Sequence, residues 1–326
     1  MLDEEAASLT QEEDPDMKTS PVQPGDLPRS VLAVPPLARH DDLSLNAEAN
    51  KALIRYLEAG GISTLMYGGN ANFYHIGLKQ YAEALEMLEE VAAEGTWVIP
   101  SAGPEFGRLQ DQVSILRDRA FPTAMVLPLT FPMTPDGVAT GLRHFAEAYG
   151  KKIIVYVKNE GYLTADLLGK LVDDGLVCAI KYAVVRNDPK EDALLAEMVE
   201  RIDRSIIISG IGERPAIDHF RHFGLSAFTS GSVCLAPRGS MALLQALKRE
   251  DYDGAEEIRQ RYIPIEDLRD GISPIRILHD AITLAGIANM GPMLPMLSNL
   301  SEEERAKVAP VAKQLAEGDA SRVSAA

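Results

Sequence analysis

Three observations in the chain predict a (β/α)8 barrel with a C-terminal helical extension. Eight short, β-rich apolar runs recur from Ser30 onward, each about one strand-plus-helix unit after the last. The stretches between them carry helical signals. After the eighth run only helical stretches follow. Parallel strands joined by crossover helices produce this alternation, and eight such units over about 200 residues suit a closed barrel. A doubly wound open sheet would alternate in the same way. The count of eight, and the lack of a GxGxxG after the first run, favour the barrel.

The first run is "SVLAVPPL". The helix after it, "NAEANKALIRYLEAGG", ends in glycines suited to a helix C-terminus. "ISTLMYGG", "TWVIPSAG" and "TAMVLPLT" are runs two to four. "PDGVATGLRHFAEAYG" then places Leu142, Phe145, Ala146 and Tyr149 on one face at helical spacing. "KIIVYVKN" is the fifth run. Its helix, "TADLLGKLVDDG", opens on Thr164 as an N-cap and closes at Gly175. "LVCAIKYAVV", "SIIISGIG" and "LSAFTSGS" complete the eight. Beyond them, "SMALLQALKRE" is the last barrel helix. "YDGAEEIRQRYIPIEDLRD", "SPIRILHDAITLAGI" and "SEEERAKVAPVAKQLAEG" form the extension. The organisation read from this is a disordered acidic leader over 1–28, a barrel over 29–236 and a helical region over 237–326.

The chain has 326 residues, 46% of them apolar, and a formal net charge of −16. The apolar content suffices for a large core. The acidic balance argues against a general nucleic-acid binder, which needs a basic footprint. No run approaches the length of a membrane span, and the N-terminus lacks the apolar segment of a signal peptide. Cys178 and Cys234 have no metal-ligand spacing and read as buried thiols in a reducing, cytoplasmic compartment.

The sixth run holds a lysine, Lys181, among apolar neighbours. Strand alternation sets Val177, Ala179 and Lys181 on one face and Cys178, Ile180 and Tyr182 on the other. In a barrel neither face is a natural home for an ammonium. Burial lowers the affinity of the amine for its proton, and a neutral amine is a nucleophile that forms a Schiff base with a ketone. The alternative is a lysine at the strand's end that reaches water or pairs with an acid. Tyr156, at the end of the fifth run, lies one unit earlier. On the neighbouring strand it would set its hydroxyl beside the lysine nitrogen and move protons.

"YGGNANF", after the second run, suits a turn whose backbone N–H groups hold a carboxylate or phosphate oxygen. "SGIG" and "TSGS" face the same mouth, where many barrels bind phosphate. His75 follows the "NAN" turn and is a further candidate at the mouth. His219 and His222 stand three apart on the helix after run seven and read as a solvated face, with no third ligand for a metal. Asp41 and Asp42 read as solvated loop carboxylates. Trp97 reads as packing. No GxSxG, HExxH or Walker motif is present, and no cofactor or metal is expected.

The order of these motifs resembles the dihydrodipicolinate synthase/N-acetylneuraminate lyase family of Schiff-base aldolases, over about residues 29–300. It is carried by "AVPPL", the Gly-rich turn after run two, "VYVKN", "AIKYA", "ISGIG" and the helical extension. The resemblance implies that Lys181 forms an imine with a 2-oxo acid such as pyruvate and that Tyr156 shuttles protons. It further implies that backbone groups at Gly69 and Asn70 hold the carboxylate, and that Ser209, Gly210 and Thr229 line the rest of the pocket. A homotetramer or homodimer is implied as well.

The chain also departs from the family. The family's Gly-Thr-Thr-Gly-Glu loop reads Gly68-Gly69-Asn70-Ala71-Asn72 here, so the relaying hydroxyl is missing. Asn70 is placed to hydrogen-bond Tyr156 but cannot pass a proton. The synthase's tyrosine after strand four is absent from "LPLTFP". Its arginine after strand five is absent from "VKNEGYL", where Lys158 is the nearby cation. These departures favour an aldolase or dehydratase of 2-keto-3-deoxy sugar acids over dihydrodipicolinate synthase proper. The rivals are a catalytically silent barrel that binds a 2-oxo acid and a phosphosugar aldolase of another barrel family.

Overall fold

The computed structural model describes residues 17–320. Eight parallel strands close into a barrel in chain order: β1 (Leu32–Ala33), β2 (Thr64–Tyr67), β3 (Trp97–Ala102), β4 (Met125–Val126), β5 (Ile153–Val157), β6 (Val177–Tyr182), β7 (Ile207–Ser209) and β8 (Ala227–Ser230), with β8 pairing back to β1. Every residue of β2, β3 and β6 is buried. One face of each strand fills the barrel and the other packs on helices, so the runs read as continuously apolar rather than alternating. Trp97 is buried at the start of β3, and both cysteines are buried free thiols, as read from the sequence.

Helices α1 (Ala47–Ala59), α2 (Leu78–Val91), α3 (Phe106–Arg117), α4 (Pro135–Tyr149), α5 (Ala165–Asp173), α6 (Ala193–Arg201), α7 (Glu213–Phe223) and α8 (Pro237–Lys248) follow the strands in turn. Asn46, Thr134, Thr164 and Asp192 cap α1, α4, α5 and α6, each accepting a backbone N–H with its side chain. Each cap contributes about 1 kcal/mol. Helix α4 buries Leu142, Phe145, Ala146 and Tyr149, the face that the spacing predicted.

Two segments differ from the sequence reading. Residues 1–16 of the leader lie outside the described residues. Residues 17–28 are seated under the barrel: Met17 and Leu27 are buried and the Lys18 N–H donates to the Thr96 carbonyl at 2.9 Å, while the next residue, Arg29, donates to Gly95 O at 2.5 Å. Thr96 and Gly95 precede β3, so this segment covers the N-terminal ends of the strands. Its acidic composition concealed two apolar anchors. The second difference is in the extension. "YDGAEEIRQRYIPIEDLRD" is two helices, α9 (Tyr252–Arg259) and α10 (Ile263–Gly271), because Pro264 has no N–H to continue the first and suits the opening of a new one.

Helices α11 (Pro274–Leu284) and α12 (Glu302–Ala320) are the last elements of the described residues. Ser273 caps α11 one residue after Ile272 closes α10. Arg276–Glu304 at 2.8 Å and Arg305–Asp280 at 3.0 Å tie α12 to α11. Buried Asp319 accepts the Gly239 N–H at 2.7 Å and fixes α12 to the start of α8. The extension thereby holds the α10–α11 corner over the C-terminal ends of the strands. Among the described residues, no helix is long and apolar enough to cross a membrane.

Candidate active site

The C-terminal mouth of the barrel holds a cavity of about 270 Å³. Its floor is the pair singled out in the sequence. Strands β5 and β6 run in register with Tyr156 opposite Lys181, and the lysine Nζ lies over the tyrosine ring, 4.4 Å from its centroid. Both side chains line the cavity. Alternation along β6 turns the next residue outward: the Tyr182 hydroxyl donates to the buried Asp192 carboxylate at 2.7 Å. Arg186 pairs with the same carboxylate at 2.9 Å and with Glu160 at 2.5 Å, which binds the β5 and β6 loops together.

Lys181 is 4% exposed, and no carboxylate pairs with it among the described residues. Burial lowers its pKa from 10.5 to about 7, helped by the like charges of Lys158 and Arg269. The free amine is therefore plentiful near neutral pH. Burial raises the Tyr156 phenol, with Tyr74 adding to the shift, so it stays protonated and can donate. The cavity is lined by Lys158, Lys181 and Arg269, and by Glu266 and Asp270, whose carboxylates pair with Arg269 and Arg214.

A buried amine of this kind is costly for folding. Its folded pKa lies below the unfolded value. Between about pH 7 and pH 10 the unfolded chain therefore binds more protons, and stability rises with pH across that window. Lys181→Met, which keeps the volume and drops the amine, is expected to raise the melting temperature at pH 7 by about 5 °C. The gain should shrink toward pH 10, as read by thermal melts at both values. An equal gain at both pH values would contradict the burial account.

Gly69, Asn70, Gly210 and Thr229 line the cavity. Gly210 is required by space. A Cβ there would stand 2.6 Å from Tyr182 O, 2.8 Å from Ala183 Cβ and 3.0 Å from Lys181 Cγ, so only glycine lets β7 end this close to the lysine. Ser209 does not line the cavity. Strand alternation turns it outward with Tyr182, and its hydroxyl bonds His219 Nδ1 at 2.8 Å. His219 is buried by that contact rather than solvated as read. His75 is not among the lining residues, and Asn70 donates to Val34 O at 2.8 Å instead of meeting Tyr156. No metal-binding group of three ligands occurs among the described residues.

Several lining residues escaped the sequence reading, Tyr74 and Arg269 among them. Tyr74, one position before His75, brings a phenol to the wall where the loop lacks a hydroxyl; burial lifts its pKa to about 12. Its signal was present in "NANFYH" but went to the histidine. Arg269 and its partner Glu266 come from α10, and nothing in "IEDLRDG" marks it as part of a distant barrel mouth.

No family model matches the chain. It is 22% identical over 300 residues to a probable 5-dehydro-4-deoxyglucarate dehydratase of Streptomyces avermitilis, covering 90% of this chain and 88% of that one. Its fold is that of a dihydrodipicolinate synthase from Bacillus clausii, with a TM-score of 0.77 and 23% identity over 89% of this chain and 98% of the other. A prophage protein of Escherichia coli K12 belonging to the dihydrodipicolinic acid synthase family, solved in complex with pyruvate, gives 0.72 and 18% over 87% and 98%. The chain is thus similar in sequence to a probable dehydratase and in fold to dihydrodipicolinate synthases, the likeness that its motifs suggested.

Proposed function

We propose that the protein is a lyase that acts on a 2-oxo acid through an imine at Lys181, and that its substrate is a 2-keto-3-deoxy sugar acid. The observation that carries this reading is the unpaired, buried Lys181 stacked over Tyr156 at the mouth of the barrel. The Nζ lone pair attacks the C2 carbonyl, and the carbinolamine loses water to give the imine. Tyr156 donates and recovers the protons that these steps require. Loss of a C3 proton leaves an enamine, whose electrons expel a hydroxyl from C4 as water. In the aldolase variant, loss of the C4 hydroxyl proton breaks the C3–C4 bond instead: C4 leaves as an aldehyde, and the bond's electrons form the enamine on the C1–C3 half still held by Lys181. Tyr74 supplies the second phenol of a proton relay in place of the missing loop hydroxyl. Gly69, Asn70, Gly210 and Thr229 shape the pocket around C1 and C2.

Dehydration is favoured over condensation to dihydrodipicolinate. "LPLTFP" has no tyrosine and the β5 loop no arginine, and the curated relative is described as a dehydratase. We expect a homodimer or homotetramer working in the cytoplasm. The test is a panel of 2-oxo acids, including 5-dehydro-4-deoxyglucarate and pyruvate with aspartate semialdehyde, read by mass spectrometry. Loss of one water from the sugar acid, with no condensation product, is the expected result. Condensation without dehydration would reverse the assignment. Binding without any turnover would favour a silent barrel.

A further inference from the structure

The Arg269 guanidinium is built into the cavity wall with one nitrogen left over. Its Nη1 donates to Glu266 at 2.9 Å and to Ser232 Oγ at 3.3 Å, and its Nε donates to Pro274 O at 3.3 Å. Nη2 finds no partner among the described residues. The side chain is 11% exposed and lines the cavity. Ser232 also donates to Glu266, so both carboxylate and guanidinium are held from behind. Nη2 lies beside Gly231 and the β2 loop: a Cβ on Gly231 would stand 3.0 Å from Arg269 Nη2 and 3.1 Å from Asn70 Nδ2. Glycine at 231 thus leaves a gap that Arg269 and the β2 loop share. Lys181 and Tyr156 both feel the arginine's charge.

We propose that Arg269 is the cationic clamp for the C1 carboxylate of the substrate, working with the Gly69–Asn70 turn, and that it sets the preference for 2-oxo acids over neutral ketones. This rests on the imine reading. A fixed guanidinium with a free N–H edge is suited to a carboxylate, because little side-chain freedom remains to be lost on binding. The neighbouring carboxylates do not compete for that edge. Glu266 uses Oε1 on Nη1 and Ser232, Glu213 accepts from Ser230 and Ser240, and Asp270 pairs with Arg214 at 3.3 Å. Lys158 is exposed at the rim on a flexible stem and suits the distal end of a longer substrate.

The experiment is borohydride trapping at Lys181 with pyruvate and with hydroxyacetone, a neutral ketone, in wild type, Arg269→Gln and Arg269→Lys. The pyruvate concentration giving half-maximal trapping is expected to rise about 100-fold in Arg269→Gln, with hydroxyacetone changed less than about threefold. Arg269→Lys should fall between, since it keeps the charge and loses the planar fork. Free guanidinium should restore part of the loss in Arg269→Gln. Equal losses for both ketones would assign Arg269 a structural role and overturn the proposal, as would an unchanged pyruvate response. A wild type that traps no 2-oxo acid overturns the imine reading and this role with it. Thermal melts identify a variant that has failed to fold, in which case Arg269→Lys decides by its pyruvate-to-hydroxyacetone ratio.

Discussion

Lys181→Ala is expected to abolish turnover of every 2-oxo acid, by about 10⁴-fold or more, while the barrel stays folded. The size follows from the chemistry. Without the amine there is no imine, and without the imine the carbanion at C3 has no electron sink, so the residual rate falls toward whatever positioning alone supplies. The substitution leaves a small space at the cavity wall, where Lys181 already borders the open mouth. It also removes an amine that burial holds partly neutral, so melting should not fall and the loss cannot be attributed to unfolding. For the wild type, the rate of imine formation should climb with pH through about 7, as the free amine becomes the dominant form. A rate that rises only above pH 9 would place the lysine in water rather than in the described site.

Tyr156→Phe is expected to have the second-largest effect, a loss of about 10²- to 10⁴-fold in turnover. The ring under Lys181 remains, so packing at 4.4 Å is retained and only the hydroxyl goes. Burial keeps that phenol protonated across the working range, which suits a group that must donate to the carbinolamine oxygen before it can take a proton back. Exchange of the C3 protons of pyruvate with deuterium, followed by NMR, isolates the step. Exchange should slow in the phenylalanine variant by a similar factor. Wild-type exchange in Tyr156→Phe would leave Tyr74 as the proton carrier.

The barrel was legible because parallel strands buried on both faces leave apolar runs, and because glycine and threonine mark the helix ends between them. Lys181 and Tyr156 were legible for a related reason: polar groups inside such runs have no neutral explanation. What stayed hidden depends on which way a side chain faces, or on tertiary distance. Ser209 sits in a suitable Gly-bearing turn, yet β7 alternation sends it to His219. Arg269 lies 88 positions after Lys181 in the chain and reaches the site only because Pro264 breaks the extension into α9 and α10, with Ser273 turning the chain again. Met17 and Leu27 were masked by acidic neighbours, since composition averages over single anchors.

The central claim is the imine at Lys181, and reductive trapping tests it most directly. The protein is incubated with pyruvate and borohydride near pH 7.5, and intact mass and peptide mapping are then read beside Lys181→Ala. One pyruvate-sized adduct per chain, mapped to Lys181 and absent from the variant, is the predicted result. Folded wild-type protein that carries no adduct, with pyruvate or with longer 2-oxo acids, would contradict it and leave a barrel that binds without catalysing.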